Sequence, residues 1–198
     1  MIPKHKVFIS YHHKNDQFYK NELVMYSSRY NIFEDASVDT GGISDELADE
    51  QIRTIIRDEY LGDSFVTIVL VGAETKYRKH VDWEIYSSMY NGAKNNKSGI
   101  LVVNLPSVNG SQISICNEDK LILGPEIKWS PIISYERYEY LPGRIVDNIK
   151  SSDVRIAVVD YTRIINNQEG FKKLIDIAYN QRDKNDYDLS APMRRKNS

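Results

Sequence analysis

Ser64–Val71 reads SFVTIVLV, a β-rich run in which Thr67 is the only polar residue after Ser64. A run of this kind, apolar at consecutive positions, suits a strand covered on both faces. Three more runs share its character: Lys6–Tyr11 (KVFISY), Gly99–Leu105 (GILVVNL) and Val154–Tyr161 (VRIAVVDY). Helical spacing fills the intervals. Tyr19, Leu23, Tyr26 and Tyr30 form one stripe, with a cap expected at Asn15 or Asp16. Ala48, Ile52, Ile55 and Ile56 form a second, which Ser44 is placed to cap, with Asp45 and Glu46 in the first turn. Val81, Ile85 and Ser88/Met89 form a third. A parallel pair cannot be closed by a hairpin, so strands alternating with helices call for right-handed crossovers. The fold class is therefore α/β, with a mostly parallel central sheet flanked by helices on both faces.

Asn31–Phe33, between the first two helices, is expected to be a short second strand at the sheet edge. Beyond Leu105 the rhythm changes. Residues 106–131 carry turn signals at Asn109-Gly110 and Gly124-Pro125 and read as an irregular insertion or crossover. Leu141, Ile145, Val146 and Ile149 then mark a helix led by Pro142, and Phe171, Leu174, Ile175 and Ala178 a last one. The ordered core is expected to stop near Asn180, which gives a single domain over 1–181 and a polar C-terminal tail over 182–198.

The 198 residues, with 26 Lys+Arg against 28 Asp+Glu, suit one well-buried domain. A net charge of −2 lacks the basic field that a general nucleic-acid or anionic-membrane binder needs, so neither partner is expected. The apolar runs fall far short of the roughly 20 residues that span a bilayer, and no apolar segment follows Met1, so the expected location is the cytoplasm. The single cysteine, Cys116, allows neither an intrachain disulfide nor a cysteine-based zinc site.

In parallel sheets of this class ligands bind beyond the carboxyl ends of the strands. After the first strand comes Tyr11-His12-His13-Lys14-Asn15-Asp16, which holds neither GxGxxG nor GxxxxGK[ST] and so excludes Rossmann dinucleotide binding and P-loop phosphoryl transfer. Ser10-Tyr11 and Val71-Gly72 stand where a phosphoacceptor receiver needs acidic residues. His12 and His13, adjacent on an extended chain, point apart with no third ligand near, so no metal site is expected. The loop after the second strand contains Gly41-Gly42, which permits positive φ and hinge motion ahead of a helix amino terminus. On the helix after the third strong run, Val81 and Ile85 give the buried direction. Glu84 lies about 100° from Ile85 on the helical wheel, at the margin of the buried stripe beside His80, Ser87 and Ser88.

Phe8-Ile9-Ser10-Tyr11, a glycine-containing loop after the second strand and Trp83-Glu84-Ile85 after the third together resemble TIR domains. The likeness is closest to the bacterial TIR-like ThsB group of the Thoeris antiphage system, and it spans essentially the whole chain. The opening Lys4–His13 and the ending Tyr187–Arg195 are similar to that group's own. The resemblance implies a flavodoxin-like TIR fold and cleavage of the nicotinamide–ribose bond of NAD+ by a glutamate at the position of Glu84. NAD+ is then substrate, and no cofactor is required. The chain departs from the WxxxE pattern of many bacterial TIR enzymes: His80 stands where the tryptophan would, and Trp83 adjoins the glutamate. The resemblance further implies a cyclic ADP-ribose isomer as product and, as partner, an NAD-consuming effector, ThsA, reached through that diffusible signal. Activity that waits for a trigger or for homo-oligomer assembly belongs to the same picture.

A carboxylate suits the chemistry, because nicotinamide departure develops oxocarbenium character at the ribose carbon. Cyclisation further requires a pocket that keeps ADP-ribose folded and dry. Ser10, Tyr11, His12, His80 and Trp83 are expected around the substrate, with Gly41 and Gly42 as a mobile lid. Trp83 has a second reading as core packing beside Val81 and Ile85. Two other functions fit the same residues: a non-catalytic TIR adaptor or scaffold, and a nucleoside N-glycosidase or deoxyribosyltransferase-like enzyme. One domain with a polar tail leaves no sequence for an executing domain, so any output is expected to leave the molecule.

Overall fold

The structure, a computed structural model, describes residues 4–37, 51, 54–56, 58, 61, 64–92, 96–108, 112–113, 117–124 and 138–197. Its strands are Lys6–Ser10 (β1), Glu34–Asp35 (β2), Val66–Val71 (β3), Gly99–Asn104 (β4) and Ala157–Asp160 (β5), which form one all-parallel sheet in the order β2-β1-β3-β4-β5. This is the flavodoxin-like order, whose topological switch lies between β1 and β3. Among the described residues the α-helices include His13–Tyr30 (α1), Lys79–Met89 (α2), Asn117–Leu123 (α3), Gly143–Ile149 (α4), Tyr161–Ile164 (α5) and Gln168–Gln181 (α6).

Successive strand residues point to opposite faces, and both faces of this sheet are apolar. On one, Val7 and Ile9, Val66, Ile68 and Leu70, Leu101 and Val103, and Val159 pack against Leu23 of α1 and Phe171, Leu174, Ile175 and Ala178 of α6. On the other, Val69 and Val71, Ile100 and Val102, and Val158 pack against Val81, Ile85 and Met89 of α2 and Ile145, Val146 and Ile149 of α4. The stripes read from the sequence for α2, α4 and α6 are thus buried faces, while on α1 Leu23 is buried and Tyr19, Tyr26 and Tyr30 lie half-buried against the same core. Gly99 opens β4 because α6 lies directly over it: a Cβ there would stand 1.9 Å from the Ala178 carbonyl oxygen.

Several boundaries differ from expectation for local reasons. The second strand is Glu34–Asp35, not Asn31–Phe33. Asn31 instead ends α1 with φ 54°, a left-handed conformation that asparagine tolerates. The Ser27 hydroxyl then accepts from the Phe33 N–H and donates to its carbonyl, both at 2.9 Å, which turns the chain into the sheet edge. Helix α1 begins at His13 with His12 as its cap residue, so neither Asn15 nor Asp16 caps it. Asp16 lies in the first turn with its carboxylate over Gly72, where a Cβ would stand 2.7 Å from it, and accepts from the Thr75 hydroxyl. Within 106–131 the described residues include helix α3 and an antiparallel bridge between Ile113 and Val158, and Gly124 takes φ 116° after α3. Ser44, Gly41, Gly42, Asn109-Gly110 and Cys116 lie outside the described residues. Of the second helical stripe, Ala48 and Ile52, like Asp45 and Glu46 before them, also lie outside the described residues, whereas Ile55 is half-buried and Ile56 buried.

The ordered chain does not stop near Asn180. After α6 it returns across the α2/α4 face as a strap. Asn185 is 2% exposed and pairs with both the N–H and the carbonyl of Arg155. The Tyr187 hydroxyl donates to the Ser98 carbonyl, and the Asn148 amide pairs with the backbone of Asp188 at 2.8 and 3.0 Å. These residues read as a tail because they are polar. They are ordered because their polar groups satisfy buried backbone and side-chain partners, a source of binding that hydrophobic periodicity does not register.

Candidate active site

Helix α2 brings Glu84 to the carboxyl end of β1. The Ser10 hydroxyl, fully buried on the face of β1 opposite Ile9, donates to Glu84 Oε2 at 2.6 Å. Glu84 itself is 6% exposed, and burial pushes its carboxyl up to about 8, against the smaller opposing effect of the Ser10 hydrogen bond. Ser88, one turn on, donates to the Glu84 carbonyl at 2.8 Å and shares a 2.8 Å hydrogen bond with Thr67 of β3. Ser10 and Ser88 therefore tie α2 to β1 and β3, the first through the Glu84 carboxyl and the second through its backbone carbonyl.

The other sequence candidates divide between this place and others. His12 caps α1 through its carbonyl, while its buried ring accepts from Arg78 Nε at 2.6 Å. Burial, then Arg78, lowers the His12 pKa, so its ring is held neutral. His80, at i−4 from Glu84, lies against the Trp83 ring with centroids 5.3 Å apart. Tyr11 points away from Ser10 because adjacent strand residues alternate: its ring belongs to the α1/α6 core and stacks on His13, and its hydroxyl donates to Gln17. Trp83 packs with Phe8, Ile56 and Leu61, and its indole N–H donates to the Arg194 carbonyl at 2.8 Å. Among the described residues, no three His, Cys, Asp or Glu side chains converge as metal ligands, and no helix is long and apolar enough to cross a membrane.

Two further contributors carry no expectation from the sequence, and a third, His13, is weighed there only as a metal ligand. His13, whose ring stacks on Tyr11, is pushed down to about 4, first by burial and then by His80, His12 and Lys20. Arg78, the cap residue of α2, holds His12; a cation beside the start of a carboxylate-bearing helix was the available signal. Asp82 accepts two hydrogen bonds from Arg144, at 3.1 and 3.3 Å, and nothing in the local sequence foretells so distant a partner. A separate cleft of about 280 Å³ lies at the carboxyl ends of β4 and β5, lined by Asn104, Asp160 and Thr162 among others.

The geometry therefore offers a buried, protonatable carboxyl at the switch point of a parallel sheet, with a hydroxyl donor fixed upon it. That arrangement stabilises positive charge once the group is ionised. Comparison with curated proteins gives no match. Comparison with protein families gives a match over residues 8–110, more than half of the chain, to the family described as Thoeris protein ThsB, TIR-like domain. With the parallel sheet in the expected order and both Ser10 and Glu84 inside the matched segment, the chain belongs to the TIR-like domain family of the Thoeris antiphage protein ThsB.

Proposed function

We propose that this chain is a TIR-type enzyme that cleaves the nicotinamide–ribose bond of NAD+ with Glu84 as its catalytic carboxylate, and that it releases a cyclic ADP-ribose isomer which activates the effector ThsA in antiphage defence. One observation carries the reading: the buried Glu84 carboxyl held by Ser10 at the carboxyl end of β1. As the C–N bond breaks, its electron pair leaves with nicotinamide and positive charge develops on the ribose, which a carboxylate stabilises until a nucleophilic atom elsewhere on the same ADP-ribose, in place of water, supplies the electron pair of the new bond to that carbon. In the free protein burial keeps Glu84 protonated below about pH 8. A cationic nicotinamide ring brought beside it favours the ionised form, so substrate binding itself arms the group.

At 6% exposure, Glu84 meets a substrate only after covering atoms move, which supports an enzyme that waits for a phage trigger or for homo-oligomer assembly in the cytoplasm. Ser10 and His12 are the first substrate contacts in this reading. Gly41 and Gly42 are the proposed lid on the strength of their sequence alone.

The test is a protein-free filtrate from triggered cells. The parent filtrate is expected to activate the effector and the Glu84→Gln filtrate to be inert. An inert parent filtrate with steep NAD+ loss would identify a hydrolase without a signal. No NAD+ loss, together with direct effector binding, would replace the enzyme by an adaptor.

A further inference from the structure

Lys79, Asp82, Trp83 and Tyr86 are spaced i, i+3, i+4 and i+7, so they form one stripe along α2. Every one of them is held by chain beyond residue 110, outside the segment that matches the family. The Lys79 N–H donates to Asn197 Oδ1 at 2.9 Å. Asp82 accepts from the Arg194 N–H at 2.7 Å and from Arg144 of α4. The Trp83 indole N–H donates to the Arg194 carbonyl, and the Arg144 guanidinium lies 4.9 Å from the Tyr86 ring centroid. Arg144 also donates to the carbonyls of Ala191 and Pro192, so one buried cation joins strap, α4 and α2.

The centre of this stripe is about 150° from Glu84 around the helix. The strap therefore holds α2 from one side while Glu84 meets Ser10 on the other. The apolar contacts of Val81, Ile85 and Met89 are non-directional and tolerate small rotations or slides of the helix. A carboxyl held at 2.6 Å by a hydroxyl on another element does not.

We propose that the strap, residues 185–197, is a positioning element of the Glu84 site: acting through Asp82 and Arg144 as positioning residues, it fixes the rotation and axial register of α2 so that the carboxyl meets Ser10. The inference rests on the reading of Glu84 as the catalytic group, and its test separates the two.

Full-length Asp82→Asn keeps the shape and one acceptor oxygen but removes the charge that Arg144 grips and the second acceptor; Trp83→Phe keeps the ring packing but removes the N–H; Asn197→Asp keeps the acceptor on Lys79. Two readouts are taken: steady-state NAD+ cleavage, and the infrared carboxyl band of Glu84, assigned by its loss in Glu84→Gln. For Asp82→Asn, kcat is expected to fall by about tenfold or more with KM within about twofold, because misplacement of the reacting group costs the transition state and not substrate binding. The Glu84 band is expected to shift as the Ser10 hydrogen bond lengthens. Trp83→Phe shifts the band in the same direction, and Asn197→Asp retains both parental values. A lowered melting temperature with unchanged kcat and band would make the strap a purely structural brace and overturn the proposal. Should Asp82→Asn not fold, an unchanged band in Trp83→Phe overturns it equally. Should the parent not cleave NAD+, the enzymatic reading fails, and the band still decides whether the strap positions Glu84.

Discussion

Glu84→Gln is expected to make the protein more stable while abolishing its activity, and the gain should grow with pH. Burial raises the native carboxyl from 4.5 to about 8. Below pH 4.5 both the native and the unfolded chain carry the proton, and the group contributes nothing to the difference between them. Between those values the unfolded chain has released its proton and the native one has not. The native state then binds more protons, and stability falls with rising pH by about 1.4 kcal/mol per pH unit. The cost amounts to about 3 kcal/mol at pH 7 and approaches about 5 kcal/mol once the pH exceeds the native value. Glutamine does not titrate, keeps the shape, and can still accept from the Ser10 hydroxyl. Urea unfolding of parent and variant at pH 5, 6, 7 and 8 measures the difference, in which the titrations of Asp16, Asp160, His12 and His13 largely cancel. With a typical denaturant slope, the variant midpoint should exceed the parent's by about 1–2 M urea at pH 7, and by much less at pH 5. A pH-independent difference would refute the buried, proton-holding carboxyl, and so would a parent that gains on the variant as pH rises.

If the ionised carboxylate is the working form, kcat/KM for NAD+ cleavage rises as pH passes from 6 through about 8, and Ser10→Ala moves the midpoint higher because the hydroxyl lowers the Glu84 pKa; a flat profile would remove Glu84 from the chemistry. Gly99→Ala forces a Cβ against the Ala178 carbonyl, so α6 must lift from β4 at a cost of about 2–3 kcal/mol, and wild-type stability in thermal or urea unfolding would contradict that packing.

The α/β class was legible because both sheet faces are covered: SFVTIVLV and GILVVNL are apolar at nearly every position, and their neighbours carry a 3.6-residue rhythm. The short edge strand lies a few residues beyond its expected place, since two residues hold little periodicity and the ending of α1 turns on Asn31 and Ser27 acting across the turn. Glu84 could be picked out by its place beside the buried stripe. Its contact with Ser10 could not, because the two are 74 residues apart in the chain. Adjacency groups Tyr11 with Ser10, whereas the pleat sends them to opposite faces of the sheet.

Hydrophobic period and short motifs encode the strands, the helices, their buried stripes, and a glutamate beside a serine pair. Burial depth, and with it the raised pKa of Glu84, exists only once α2 docks on β1 and water is excluded. The strap is the sharpest case. Asp82, Arg144 and Arg194 are ordinary surface residues by composition. They become a clamp only in the folded chain, where desolvation strengthens each hydrogen bond and leaving any of them unpaired would be costly.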